Sequence, residues 1–330
     1  MKTRCLLFTA PGQVRVAGTV IPAPHSDEIL VETHYSCVSP GTELRCLAGK
    51  QSGAPAFPYI PGYALSGVVI EAGSNTRFKA GDAVFATGTT RCDYACCWGG
   101  HCGHAVLPAR NAILIPAGVN LRAASAAKLA AIAYHGLRLS RPAPHEQVAV
   151  VGLGPIGRFS ALLHAISGAR VVATDLNARR RESAERGGIE TVSPEGGLAG
   201  GFRAVFPSGA EIVVDATGAG AVLAQSAALT RKLPWDNLAH TPARLLLQGS
   251  YAVMPPFPYN TAFDRELRVL VPRDCQRRDL EAVLDLMARG LLTPATFIEP
   301  FDSIEEAPVV YERLRDEPDS LVTATFAWNP

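Results

Sequence analysis

Apolar positions follow two different rhythms along this chain. Up to about residue 117 they come in short runs (Cys5–Phe8, Ile29–Thr33, Ser66–Ile70, Ala83–Ala86 and Ala105–Leu107), separated by glycine and proline. Helical spacing is scarce there. Pro40-Gly41, Pro61-Gly62 and Ala80-Gly81-Asp82 are expected to be turns. The stretch therefore reads as a β-rich domain. From Leu121 to Leu139 alanines and leucines fall at helix spacing. Beyond Arg141-Pro142-Ala143-Pro144 the pattern alternates. Strands are expected at Val148–Val151, Arg170–Thr174, Ile189–Val192, Ala210–Val214, Arg244–Leu247 and Leu267–Val271. Helices are expected at Phe159–Ile166, Ala178–Arg186, Ala219–Thr230 and Leu280–Ala288, with a loop at Gly196–Gly201. This α/β alternation predicts a doubly wound parallel sheet. The tail adds a helix, Ile304–Leu314, and a strand, Ser320–Trp328. It is too small to fold alone and is expected to pack back on the β-rich domain. The expected domains are thus 1–117 completed by 293–330, and 118–292.

The chemistry of the second domain concentrates in Gln147–Asp175. A buried strand runs straight into Gly152-Leu153-Gly154-Pro155-Ile156-Gly157, then a helix, then a second strand ending at Asp175. This is a βαβ unit with GxGxxG at its first turn, the Rossmann dinucleotide fingerprint. Gly152 permits the tight turn, Gly154 lets backbone approach a pyrophosphate, and Gly157 lets helix and strand pack closely. The helix N-terminus offers unpaired N–H groups to the phosphates. Asp175 can accept hydrogen bonds from ribose hydroxyls and repels a 2′-phosphate, which favours NAD, while one of Arg179, Arg180 and Arg181 could reach a 2′-phosphate and leaves NADP as the alternative. Leu176, Asn177 and Arg180 follow at the adenosine end. Asp215-Ala216-Thr217-Gly218 and Gln248-Gly249-Ser250 end the fourth and fifth strands, at the carboxyl edge where such sheets bind ligands.

Composition narrows the classes without naming one. The 330 residues are 48% apolar and 18% charged, with a formal net charge of +1. That describes a globular chain with no reason to bind nucleic acid or an anionic membrane. No apolar run reaches membrane-spanning length. A cytoplasmic setting is the default expectation, with the eight cysteines reduced. Four of these, Cys92, Cys96, Cys97 and Cys102, share one loop with His101 and His104.

The order of motifs resembles the medium-chain dehydrogenase/reductase superfamily over nearly the whole chain. Pro61-Gly62-Tyr63, Gly67-Val68-Val69, Glu71-Ala72-Gly73 and Gly81-Asp82-Ala83-Val84 resemble its "P-G-H-E…G-x-V-x-x-x-G…G-D-x-V" series, before GLGPIG, DATG and LQG. The resemblance implies a GroES-like catalytic domain built from both chain ends, a coenzyme domain between them, an active site in the cleft, and a homodimer. The departures concern metal. Zinc-dependent members carry a cysteine where Pro40 stands in Ser39-Pro40-Gly41-Thr42-Glu43, and His-Glu where Tyr63-Ala64 stands. No catalytic zinc is expected there, and the zinc-free branch is the nearer resemblance. The Cys-rich loop lacks the family's zinc-lobe spacing and is expected to be a reduced, partly buried wall of the substrate pocket, with metal binding as the alternative.

Without zinc, another group must meet the charge that develops on a carbonyl oxygen during hydride transfer. Tyr63 is the first candidate, Glu43 and Thr42 are next, and His101 and His104 are third. Glu43 has a structural alternative, bonded to backbone or to Arg45. His34 and His135 read as ordinary histidines. The expected activity is oxidation of a secondary alcohol, or reduction of the ketone, with NAD and a small-molecule substrate. An NADPH-linked reductase of activated C=C bonds and a catalytically silent nucleotide-binding module remain alternatives.

Overall fold

The structure is a computed structural model that describes residues 1–235, 241–251 and 256–328. It divides into two compact units, Met1–Lys128 with Leu280–Pro330, and Leu129–Asp279. The changeover after Lys128 falls later than residue 117. The helix Leu121–Ser125 stays with the first unit, packed on strands Glu28–Cys37 and Leu65–Ala72, and Ser66 Oγ donates to Leu121 O at 2.6 Å. Among the described residues, no helix is long and apolar enough to cross a membrane.

In the first unit, Lys2–Ala10 and Gln13–Val20 form an antiparallel hairpin, extended by Tyr59–Ile60 and Ala95–Cys96 into a four-stranded sheet. A second sheet runs in the order Glu299–Phe301, Ala324–Ala327, Glu28–Cys37, Leu65–Ala72, Ala83–Ala86, Ala112–Leu114. The tail strand pairs antiparallel with Tyr35–Cys37, so the chain end completes the first unit. His104–Pro108 pairs with the other half of the same strand, Glu28–Glu32.

Pro40-Gly41, expected as a turn, instead opens the helix Pro40–Leu47. Proline is well placed at a first helical position, where no partner for its missing N–H is needed. The helix is held by burial of Cys46 and Leu47 in a core that includes Phe8, Tyr59, Tyr311, Leu314, Phe326 and Trp328. That core draws on both chain ends, so local pattern did not reveal it.

In the second unit the strands Glu190–Thr191, Arg170–Thr174, Gln147–Val151, Ile212–Asp215, Arg244–Leu247 and Arg268–Leu270 form one parallel sheet in that spatial order. Numbered by sequence this is 3-2-1-4-5-6, the doubly wound order. The helix that follows strand Gln147–Val151 starts at Pro155 rather than Phe159. Gly196–Gly201 is only partly loop, because the short helix Leu198–Arg203 forms there. Phe202 supplies the reason, since it is buried beside Phe206, with ring centroids 6.4 Å apart.

Candidate active site

The dinucleotide loop sits where register demands. Val151 pairs with Thr174 and with Asp215, and Asp215 pairs with Leu247. The next residues along, Gly152, Asp175, Ala216 and Gln248, therefore leave the sheet along one edge. Gly152 has φ of 94°, a region costly for any other residue. A Cβ on Gly157 would lie 1.8 Å from Gly152 O, so only glycine lets the helix start this close to the strand. A Cβ on Gly154 would meet nothing within 4 Å, leaving open space over the N-terminus of helix Pro155–Ile166. The loops also meet one another. A Cβ on Gly152 would touch Thr217 and Ala216, and one on Gly249 would strike Gly218 N. Gly152, Leu153, Gly154, Pro155, Ile156, Gly157, Ala216, Thr217, Gly218 and Gly249 are thus one neighbourhood, with exposed Ser250 next in sequence.

Asp175 is drawn into this loop. Its Oδ2 accepts from Leu153 N at 2.7 Å and its Oδ1 from Asn177 N at 2.9 Å, while Arg180 Nη1 stands 3.7 Å from Oδ2. Each carboxylate oxygen keeps acceptor capacity for a ribose hydroxyl. Leu176 is 88% exposed beside it. The carboxamide oxygen of Asn177 accepts from Arg179 N and Arg180 N, at 2.9 and 3.4 Å. Asn177 is the N-cap of helix Ala178–Arg186, a duty not foreseen for it. The Gln248 side chain turns away from the loop edge and donates to Ile132 O at 2.9 Å, so any part it plays at this edge belongs to its backbone. Asp215 is consumed by Thr217 N, Thr217 Oγ1 and Ser226 Oγ and shapes the turn. These residues fit a dinucleotide.

In the first unit, Tyr63 and Thr42 do come together. The Tyr63 hydroxyl makes a short hydrogen bond with Ser39 Oγ and lies 3.5 Å from Thr42 Oγ1. Trp98 packs edge-on against the Tyr63 ring at 5.2 Å and keeps 43% of its surface exposed. Glu43 lies directly behind this group and is fully buried. Its Oε1 accepts from Ser39 N at 2.7 Å, and its Oε2 receives His101 Nε2 at 2.9 Å and the Tyr311 hydroxyl. Arg45 is not among these donors and bonds Gln51 and Thr42 instead. Glu43 is thus enclosed by its donors and meets the Tyr63 group through Ser39.

The tautomer of His101 follows from its neighbours. Trp328 Nε1 can only donate, and it donates to Ser36 Oγ at 2.9 Å. Ser36 then turns its own hydrogen to His101 Nδ1, 2.7 Å away. Nε2 carries the imidazole hydrogen and donates it to Glu43. Burial first, then the Glu43 charge, pushes the Tyr311 hydroxyl well above its ordinary value, so it stays a donor. Gly62 makes room for this arrangement, since a Cβ there would lie 2.4 Å from His101 Cδ2.

His104 does not join the group. It bonds Thr3 Oγ1 at 2.9 Å, and burial holds its imidazole below the ordinary value. His135 is tied to Asp279 at 3.0 Å, and His34 lies 3.9 Å from Glu32. Of the two loop histidines only His101 bonds Glu43 behind this group. Ser39 was visible in the sequence as part of the Ser-Pro-Gly-Thr-Glu stretch. Ser36, Tyr311 and Trp328 carried no local signal.

The residues at the implied zinc positions, Pro40, Tyr63 and Ala64, offer no donor set for that ion, which takes Cys, His or carboxylate ligands. Among the described residues, no group of three or more His, Cys, Asp and Glu is placed to hold a metal ion. Cys92 and Cys96 are half-buried, and Cys97 and Cys102 are buried.

Residues 25–117 match the alcohol dehydrogenase GroES-like domain. The chain is 28% identical to the 2-desacetyl-2-hydroxyethyl bacteriochlorophyllide A dehydrogenase of Cereibacter sphaeroides, over 97% of each chain. It is 27% identical to the L-galactonate-5-dehydrogenase of Escherichia coli K12, over 89% of each. An alcohol dehydrogenase from Escherichia coli CFT073 in complex with NADH shares the fold, with a TM-score of 0.85 over 99% of each chain at 19% identity. The 3-2-1-4-5-6 sheet with its glycine loop, the GroES-like unit completed by the chain end, and these full-length relatives agree, and together they support the medium-chain dehydrogenase/reductase superfamily.

Proposed function

We propose that this chain is a zinc-independent, NAD-dependent oxidoreductase that interconverts a secondary alcohol and its ketone. It is an oxidoreductase of alcohols that uses a nicotinamide dinucleotide. The observation that carries the zinc-independent part is the Tyr63 hydroxyl. It stands with Ser39 and Thr42 where the family's metal-binding histidine is replaced.

The bound cofactor supplies or accepts the hydride. In the reductive direction Tyr63 O–H donates to the oxygen on which charge develops, and Ser39 Oγ is placed to return a proton to Tyr63. Thr42 offers a second hydroxyl to the substrate oxygen. Glu43, held by His101 and Tyr311, fixes Ser39 through its backbone N–H and so sets the angle at which Tyr63 is presented.

The preference for NAD rests on Asp175. Its carboxylate is the acceptor for ribose hydroxyls, and its charge opposes a 2′-phosphate. Arg180, at 3.7 Å, offsets only part of that charge.

The test is turnover by chelator-treated protein with zinc measured on the same sample. Metal-free protein should reduce NAD with a panel of secondary alcohols. Tyr63→Phe should lower kcat by about a hundredfold to ten-thousandfold with NAD affinity unchanged. Activity that vanishes with zinc and returns on its addition overturns the metal-free reading. A wild type that prefers NADP overturns the role given to Asp175.

A further inference from the structure

The thiols of the first unit fall into two kinds. Cys5, Cys37, Cys46, Cys97 and Cys102 are buried, while Cys92 and Cys96 reach solvent. Their sulfurs lie 3.5 Å apart. Backbone tied down on both sides holds them there. Asp93 between them accepts from Val20 N at 2.8 Å through Oδ2, and its own N–H reaches Thr19 Oγ1 at 3.4 Å. Ala95–Cys96 pairs in parallel with Tyr59–Ile60, and Cys97 N donates to Ile60 O at 2.8 Å. The two sulfurs are thus preorganised for each other.

We propose that Cys92 and Cys96 form a peroxide-reactive dithiol that closes to an intramolecular disulfide. The Cys92 thiolate attacks one peroxide oxygen, the O–O bond breaks, and Cys92 becomes a sulfenic acid as the other oxygen leaves as water or an alcohol. The Cys96 sulfur then attacks Cys92 Sγ and the sulfenic oxygen leaves as water. Two thiols lose two protons and two electrons, and the peroxide takes them up. Cys92 is the attacking partner. The hydrogen bond from Cys96 holds its thiol down to about 7 against the opposing effect of burial. Cys96 is pushed up by the same bond. The rival pair is Cys46 and Cys97, with sulfurs 3.8 Å apart and the Cys97 thiol also held down by its hydrogen bond from Cys46, but both are buried away from a peroxide, while burial pushes Cys5 up to about 12. The disulfide would lock the strand paired with Tyr59–Ile60, three residues before Tyr63, and so reaches the wall of the proposed site. The chemistry itself does not depend on that site's function.

The test uses the full chain with NAD present. It is treated with a few equivalents of hydrogen peroxide, unfolded in denaturant with its free thiols blocked by N-ethylmaleimide, and digested with trypsin. The peptide Cys92–Arg110 carries Cys92, Cys96, Cys97 and Cys102. After peroxide it should take up two maleimides rather than all four, with fragment ions placing the cross-link between Cys92 and Cys96. Dithiothreitol should restore full labelling. Cys92→Ser and Cys96→Ser should each abolish the cross-link, and Cys102→Ser should leave it. Full labelling after peroxide overturns the proposal, as does a cross-link between Cys46 and Cys97 or an irreversible acid at Cys92 with Cys96 free. The unmodified chain decides these outcomes even if a serine variant fails to fold.

Discussion

A fully buried carboxylate such as Glu43 is tolerable only while its oxygens stay saturated by donors. Ser39 N, His101 Nε2 and Tyr311 Oη supply three. Glu43→Gln keeps the shape but offers one acceptor oxygen and adds an NH2 that faces donors. We expect it to cost about 1–3 kcal/mol in chemical denaturation. It should also lower kcat by loosening Ser39, with KM for NAD unchanged. Tyr311→Phe removes one donor and leaves the carboxylate two, so its cost should be smaller. If Glu43→Gln is as stable and active as the parent, the network has no role in presenting Tyr63. The sequence marked Glu43 and Thr42 because they sit in one short motif. It was silent on which histidine joins them, because His101 and His104 differ only in where strand pairing carries them.

At the scale of elements, the glycine loop gives a contrast that can be measured. Gly157→Ala drives a Cβ to 1.8 Å from Gly152 O, so the helix must move off the strand. Its denaturation midpoint should fall clearly, and NAD affinity with it. Gly154→Ala meets nothing within 4 Å and should leave stability nearly unchanged. The added methyl stands over the helix N-terminus, where the pyrophosphate is expected, so affinity should drop at least tenfold by calorimetry. An unaltered affinity in Gly154→Ala would move the cofactor elsewhere. The elements of this unit were largely legible, and the helix Ala178–Arg186 falls within its expected bounds. Buried parallel strands are continuous apolar runs and the helices between them are periodic, so each carries its own signal. The helix Pro40–Leu47 was hidden behind a Pro-Gly pair because its stability comes from residues near the chain end.

For the whole molecule, acid stability has an identifiable contributor. His164 is fully buried in helix Pro155–Ile166, with Nδ1 donating to Ser160 O at 2.8 Å and Nε2 3.2 Å from Ser140 Oγ. Burial holds its imidazole down to about 4. The folded value is thus below the unfolded one, near 6.5. The stability it confers is complete above the unfolded value and drains away as pH falls from there towards the folded value. The loss reaches about 3 kcal/mol by pH 4. A His164→Gln variant should lack that part of the slope between pH 6.5 and 4, whatever its stability at neutral pH. Parallel pH profiles of the two proteins would remove His164 from the account.

The sequence by itself determined what depends on neighbours along the chain. That includes the strand–glycine–helix–strand unit, the acid at Asp175 and the alternation that dictates a doubly wound sheet. Turn geometry, periodicity and a charge at the end of a strand are all short-range properties. Only the tertiary structure decided what depends on partners far apart in sequence. It placed Tyr311 and Trp328 from the chain end against Ser36, Glu43 and His101, and thereby enclosed the Glu43 carboxylate among its donors. It also brought the Cys92 and Cys96 sulfurs together, because strand pairing, and not their spacing, sets that distance.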